Sequence, residues 1–132
     1  MPRYACLIHY DPKVLFGGGP EANAALAECE GYDEVLKGQG AFVLGEALEM
    51  PDTAMTVRVR EGRPSMTDGP FMESREMLGG LVLIEAADLN DALRLAAAHP
   101  LARVGAVEVR PVVDFSEPRP DLSDLGKQDP TP

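Results

Sequence analysis

The sequence predicts an α+β fold: a ferredoxin-like split βαβ sandwich, an antiparallel sheet with two helices on one face, closed on its other face into a dimeric α+β barrel. Three observations predict it. The periodic segments run strand, helix, strand, strand, short strand, strand, helix, strand, which is the split βαβ order with a hairpin in its middle. Residues 67–85, TDGPFMESREMLGGLVLIE, join a tight polar turn to Leu81-Val82-Leu83-Ile84, apolar at consecutive positions as a central strand covered on both faces must be. The first strand is apolar on both faces as well, yet two helices cover only one. The second face calls for another sheet, and the economical source is a second copy of the chain.

Residues 3–10 (RYACLIHY) have strand composition, with Tyr4, Cys6, Ile8 and Tyr10 on one face and Ala5, Leu7 and His9 on the other. Residues 11–20, containing Asp-Pro and Gly-Gly-Gly-Pro, read as a loop. The triple glycine lacks the Gly-Lys-Ser/Thr of a phosphate-binding loop. A helix is expected from Pro20 or Glu21 to about Lys37, with Pro in the first turn and Glu21 placed favourably against the dipole. Its apolar stripe is Ala22, Ala25, Leu26, Cys29, Tyr32 or Asp33, and Leu36; Gly38 and Gly40 stop it. Residues 41–48 form the second strand, in which Gly45 marks a bulge or a close backbone approach. Residues 53–60 alternate, with Met55, Val57 and Val59 inward and Thr56, Arg58 and Arg60 outward. A turn over 61–64 and a return strand over 65–67 complete a hairpin.

Asp68-Gly69-Pro70 are three turn formers in succession, and they throw Phe71 inward or onto a partner. Residues 72–77 connect, and Gly79-Gly80 lead into a strand over 81–86. Asp88 caps the next helix with Asp91 in a capping-box position. Leu89, Ala92, Leu93 and Ala96 are its expected buried stripe, and Pro100 ends it just after His99. Residues 105–113 alternate as the last strand, with Pro111 arguing for an edge. Residues 1–114 thus read as one domain and residues 115–132 as a proline-rich tail without a core of its own.

A chain of 132 residues buries about two-thirds of its unfolded surface and folds without disulfides or a structural metal. With no Trp and 5% aromatics, its core is built from Leu, Val, Ala and Met. A net charge of -10, from 12 Lys+Arg against 22 Asp+Glu, excludes nucleic acid and anionic membranes as partners, because counterion release needs cations facing phosphate. Cys6 and Cys29 read as reduced, buried thiols. With no leader-like stretch and no apolar run near 18 residues, a cytoplasmic location is expected. Two histidines without a metal-binding spacing imply no metal and no other cofactor. Ser65, Ser74 and Ser116 lack the small-residue elbow of a nucleophile.

Asp68-Gly69-Pro70-Phe71 is followed by Leu78-Gly79-Gly80, by Ile84-Glu85-Ala86-Ala87-Asp88-Leu89 and by Val107-Glu108-Val109-Arg110-Pro111. With Gly45-Glu46 and Thr56-Val57-Arg58-Val59-Arg60, these motifs make residues 3–113 resemble the DGPF branch of the YCII-related proteins. The resemblance implies a dimeric α+β barrel of mostly unassigned activity. Some relatives lie near or are fused to sigma factors of the extracytoplasmic type, and others act on small aromatic ring compounds. It also implies an acid–base pair, a His on the first helix and an Asp in an Asp-Pro after the second. Here the first helix carries Glu28 and Cys29 in that neighbourhood, and the Asp-Pro position is His99-Pro100, so the roles are exchanged.

The candidate catalytic residues are therefore His99, His9, Glu28 and Asp68, each with a structural alternative. His99 suits capping of a helix C-terminus, His9 a hydrogen-bonded core position, and Asp68 the turn itself. Arg58 and Phe71 are the candidate ligand contacts. Two functions follow: a small-molecule-binding or accessory regulatory homodimer, or a cofactor-independent isomerase, lyase or hydrolase acting on a small organic acid or ring compound.

Overall fold

In a computed structural model describing residues 1–116 and 122–123, the chain forms a four-stranded antiparallel sheet, a separate two-stranded hairpin and three helices. The elements are β1 (Arg3–Tyr10), α1 (Pro12–Leu15), α2 (Pro20–Gly38), β2 (Phe42–Ala47), β3 (Met55–Arg60), β4 (Arg63–Asp68), β5 (Met77–Glu85), α3 (Leu89–Ala97) and β6 (Ala106–Pro111). Main-sheet order is β2-β5-β1-β6, so α2 and α3 each link two strands that are not neighbours, the split βαβ connection. Pro111 lies on edge strand β6, where its missing N–H costs no ladder bond.

Cross-strand register sorts the two faces, because directly opposed residues share one. Tyr4, Cys6, Ile8 and Tyr10 of β1 are buried with Val82 and Ile84 of β5 against Ala22, Ala25 and Leu36 of α2 and Ala92, Leu95 and Ala96 of α3. Tyr32 ties the two helices together, its hydroxyl donating to the Leu95 carbonyl at 2.8 Å. The opposite face opposes Ala5 to Leu83 and Leu83 to Leu44, and Leu7 to Leu81 and Leu81 to Glu46. Among the described residues no helix covers it; Ala5, Leu7, Leu81 and Leu83 are half-buried and Leu44 is exposed.

The structure corrects several expectations. Residues 11–20 are not all loop: Asp11 caps α1, its carboxylate accepting from the Lys13 N–H at 2.9 Å, with Pro12 in the first turn. Leu15 is thereby buried, and Phe16 packs edge-on against Tyr10 with ring centroids 5.7 Å apart. The hairpin stands apart from the main sheet, and Met55, Val57 and Val59 are not inward but more than half exposed, since no other described element covers them. Its turn is tighter than expected, Glu61 and Gly62 both taking positive φ (53° and 74°), so β4 begins at Arg63. In α3 the buried stripe is Ala92, Leu95 and Ala96; Leu89 and Leu93 point to solvent. Asp88 does cap α3, accepting from the Asp91 N–H at 2.8 Å, while Asp91 reaches back to the Ala87 N–H at 3.0 Å.

Gly79 and Gly80 lie inside β5 rather than before it. Ile8 opposes Gly80 but His9 opposes Leu78, so Gly79 is an extra residue, a bulge, whose carbonyl accepts from the Leu48 N–H at 2.8 Å. A Cβ on Gly79 would collide with the buried Tyr10 ring, and one on Gly80 would come within 2.9 Å of the Glu46 carbonyl oxygen on β2. Both positions need glycine for close packing. Gly79→Ala is expected to lower the free energy of unfolding in urea by about 2 kcal/mol through overpacking. In a Tyr10→Ala background the same substitution should cost at least about 1 kcal/mol less. Additive effects in that double-mutant cycle would show that the ring is not what excludes a side chain there.

Candidate functional site

Two hollows are lined by three of the six candidate residues, His9, Phe71 and His99. The larger, of about 1080 Å³, lies where the Tyr10 end of β1 and the Met77 end of β5 face the base of the hairpin. His9 and Leu78, opposed across the bulge, line it from the sheet; Leu48, Met50 and Pro51 line it from the β2–β3 connection, and Pro70, Phe71 and Met72 from the turn after β4. That turn is held in place by its backbone. Gly69 has φ 104°, a conformation that side chains disfavour, and its N–H donates to the Ala54 carbonyl at 2.8 Å while its own carbonyl accepts from Thr56 Oγ1 at 2.9 Å. Phe71 is exposed at the cleft, with the Arg58 guanidinium 5.1 Å from its ring centroid.

The charged residues of this wall have one sign. Among the described residues, Glu49, Asp52, Glu73 and Glu76 line the cleft, no Lys or Arg lines it, and none of the four carboxylates has an ion-pair partner. An apolar surface ringed by unpaired carboxylates attracts neutral or cationic molecules and repels organic anions.

The smaller hollow, of about 150 Å³, is lined by Cys29 and Asp33 of α2, by His99 and Leu101, and by Gly45, Gly79 and Gly80, where missing side chains leave room between strands and helix. At roughly 30 Å³ per molecule it has space for about five waters, too little for a substituted ring. His99 is 5% exposed and packs against Tyr32 with ring centroids 4.7 Å apart and the ring planes tilted by 56°. It is not a C-terminal cap. α3 ends at Ala97, and His99 caps the 3-10 turn Pro100–Arg103, Nδ1 accepting from the Leu101 N–H at 3.1 Å. A ring nitrogen that accepts a backbone N–H carries no proton, so neutral His99 bears its hydrogen on Nε2 and offers the hollow a donor, not a base. Burial lowers its pKa to about 4. Asp33 is held above the usual carboxylate range, chiefly by burial, with Lys37 pulling the other way. The Cys29 thiol is raised by burial first and by Asp33 next, and it donates to the Ala25 carbonyl at 3.3 Å.

The six sequence candidates are therefore dispersed. His9 and Phe71 line the larger cleft and Arg58 sits over Phe71, while His99 belongs to the smaller hollow. Glu28 is not beside His99: it faces solvent in a paired contact with Arg103, at 2.6 and 3.3 Å, and that hydrogen bonding lowers its pKa. Asp68 is exposed at the end of β4 and lines neither hollow. The acidic residues that share a hollow with His99 are Asp33, one position beyond Tyr32 on α2, and Glu46 of β2.

His99 makes stability pH-dependent with a definite sign. Its folded pKa of about 4 lies below the ordinary 6.5, so its contribution is fully present above pH 6.5 and is lost as pH falls from there toward 4, where the unfolded chain takes up a proton that the folded one does not. The loss is expected to be about 2 kcal/mol, the full linkage value discounted for solvent screening. Urea unfolding at pH 7 and pH 5 should show most of the difference, and His99→Gln should flatten it. An equally steep profile in the variant would assign the dependence to other groups.

The model of the YCII-related domain matches residues 2–116. An uncharacterised protein of Rhizobium meliloti (strain 1021) is 41% identical over 68 residues, covering 48% of this chain and 53% of that protein. The match thus spans about half the length of that relative. Among the described residues no helix is long and apolar enough to cross a membrane. With the domain match running from the start of β1 past the end of β6, this chain belongs to the YCII-related family.

Proposed function

We propose that the chain is a small-molecule-binding homodimer, and that its ligand is an apolar ring compound, neutral or positively charged, held in the cleft beside His9. The cleft of about 1080 Å³ carries this reading: it is at the upper end of ordinary ligand-site volumes, and Phe71, Met50, Met72 and Leu78 supply aromatic and thioether surface for a ring. The carboxylate wall turns the ligand class away from the organic acids that the sequence suggests. The dimer half of the reading rests on the uncovered sheet face, where Ala5, Leu7, Leu44, Leu81 and Leu83 make an apolar patch; a second copy packed there would give the α+β barrel. Binding without turnover is what an accessory regulatory dimer requires.

One observation favours a second reading as a cofactor-independent isomerase, lyase or hydrolase. His9 lines the same cleft as Glu49 and Glu76, so an imidazole and carboxylates face one ligand volume, the minimum for proton transfer.

A thermal-shift screen of paired ring amines and ring carboxylic acids tests both readings. An amine at a hundredfold excess over its dissociation constant should stabilise the protein by about 2.7 kcal/mol, with the matching acid doing little. Phe71→Ala should weaken binding about tenfold, the worth of one aromatic contact. Acids that bind as well as amines, or no shift from any compound, would count against the cleft reading. Turnover of a bound compound that His9→Ala abolishes at unchanged affinity would select the enzyme.

A further inference from the structure

The hairpin β3–β4 pairs with no other strand among the described residues, so each of its strands has one free edge. Its turn decides which backbone groups face those edges. Glu61 and Gly62, with φ of 53° and 74°, form a two-residue turn of the I′ kind, which closes on a hydrogen-bonded pair, Arg60 opposite Arg63. Bonded and non-bonded pairs alternate along an antiparallel ladder, so Arg58 with Ser65 and Thr56 with Thr67 are bonded inward. Val57 and Val59 on β3, with Pro64 and Met66 on β4, therefore turn their main-chain groups outward. Two contacts agree with that phase. Ser65 Oγ donates across the strands to the Arg58 carbonyl at 3.4 Å, and the Val59 carbonyl accepts from the Arg60 guanidinium at 3.0 Å, as a group outside the ladder can.

The two edges are unequal. Pro64 has no N–H to offer along β4, and a proline in such a place blunts an edge. The β3 edge keeps the outward N–H of both Val57 and Val59. Its side chains alternate in chemistry, with Val57 and Val59, more than half exposed, on one face and Arg58 and Arg60 on the other. Neither of these arginines, nor Arg63 opposite Arg60, has an ion-pair partner among the described residues. Arg60 and Arg63 are a like-charge pair across the strands, a cost that a bound carboxylate would reverse. Residues 58–63 hold three arginines and one glutamate, net +2, in a chain of net -10.

We propose that the open edge of β3 docks an extended segment of a partner protein, taken up as a third strand, in which apolar residues alternate with Asp or Glu. The edge supplies main-chain hydrogen bonds. Apolar side chains of the added strand sit beside Val57 and Val59, and its carboxylates sit beside Arg58 and Arg60. Val57 and Val59 line neither hollow, so the site needs neither a bound ring compound nor a second copy of the chain.

Fluorescence anisotropy of a labelled peptide, Thr-Val-Glu-Val-Glu-Val-Thr, with the full chain tests this. The peptide should bind, and its Lys-for-Glu counterpart at least about tenfold more weakly at about 50 mM salt, the gap narrowing at about 500 mM. Arg58→Glu/Arg60→Glu should reverse the preference. N-methylation of alternate peptide residues should abolish binding for the set that faces β3 and spare it for the other. Val57→Pro removes an outward N–H without touching the ladder, so circular dichroism should be unchanged while binding falls at least about tenfold. No binding to the wild type, equal binding of the Glu and Lys peptides, methylated sets that behave alike, or a folded Val57→Pro that binds as the wild type does would each overturn the proposal. Binding of a single-stranded oligonucleotide instead, lost in the double arginine variant, would assign the cationic face to phosphate and overturn the added strand.

Discussion

The contact on which the molecule depends is the Tyr10 ring over Gly79. β1 and β5 are the two inner strands, and every other strand of the main sheet pairs with one of them, so their mutual register sets the sheet. The extra residue at Gly79 shifts that register by one. It lets Tyr10 and Met77 both stay on the buried face while His9 and Leu78 meet on the other. A one-residue slip normally exchanges the two faces of a strand; here a bulge absorbs it at the end of the sheet where the cleft forms. Without a glycine the ring could not sit there, and with no ring the bulge would have no anchor.

A sheet packed on one side has consequences for everything beyond its edge. Helices α2 and α3 satisfy one face through small residues, Ala22, Ala25, Ala92 and Ala96, which allow close approach in a chain with no Trp. The other face keeps Leu, Ala and His half-covered between acidic flanks, and the hairpin keeps an apolar face of its own. The proposed homodimer would cover such apolar surface on both subunits at once, since an isologous contact presents the same patch twice. Among the described residues the cleft carboxylates and Arg58, Arg60 and Arg63 of the hairpin have no ion-pair partners, two results of the same uneven distribution of charge.

Much of this was legible in the sequence because it rests on local rules. β1 spans the expected residues, the helices start at Pro20 and Asp88 as their caps dictate, and Pro111 lies on an edge. What escaped was set by tertiary contact or by sign. Alternation in TAMTVRVR gives two faces but does not say which is inside, and in a free-standing hairpin neither is. Gly79-Gly80 reads as a break until Tyr10 is seen to occupy the missing side-chain volume. Asp11-Pro12 is a helix start signal in plain sight, masked by the triple glycine that follows. Of the residues that line the hollows, the sequence singled out His9, Phe71 and His99 but not Asp33 or the four wall carboxylates, while Arg58 stands over Phe71 without lining the cleft. The stripe on α2 left Tyr32 and Asp33 as alternatives, and these adjacent residues meet His99 in different ways, one by a tilted ring contact and one across the hollow.

His99 shows why a motif position does not carry its chemistry with it. An imidazole at the C-terminus of a helix is favoured as the cation, but His99 stands one step later, at the N-terminus of the next turn, where the dipole has the opposite sign and a backbone N–H already occupies Nδ1. Both effects favour the neutral ring, and burial acts in the same direction. A neutral donor in a hollow of about 150 Å³ can orient a water or a carboxylate such as Asp33, yet it has no free lone pair with which to take a proton. Ala47 lines both hollows, and β5 walls the small one with Gly79 and Gly80 and the large one with Met77 and Leu78. The bulge thus separates a histidine committed to packing from His9, the one imidazole that faces a ligand-sized volume. In the proposed enzyme reading, the imidazole that meets the ligand is therefore His9.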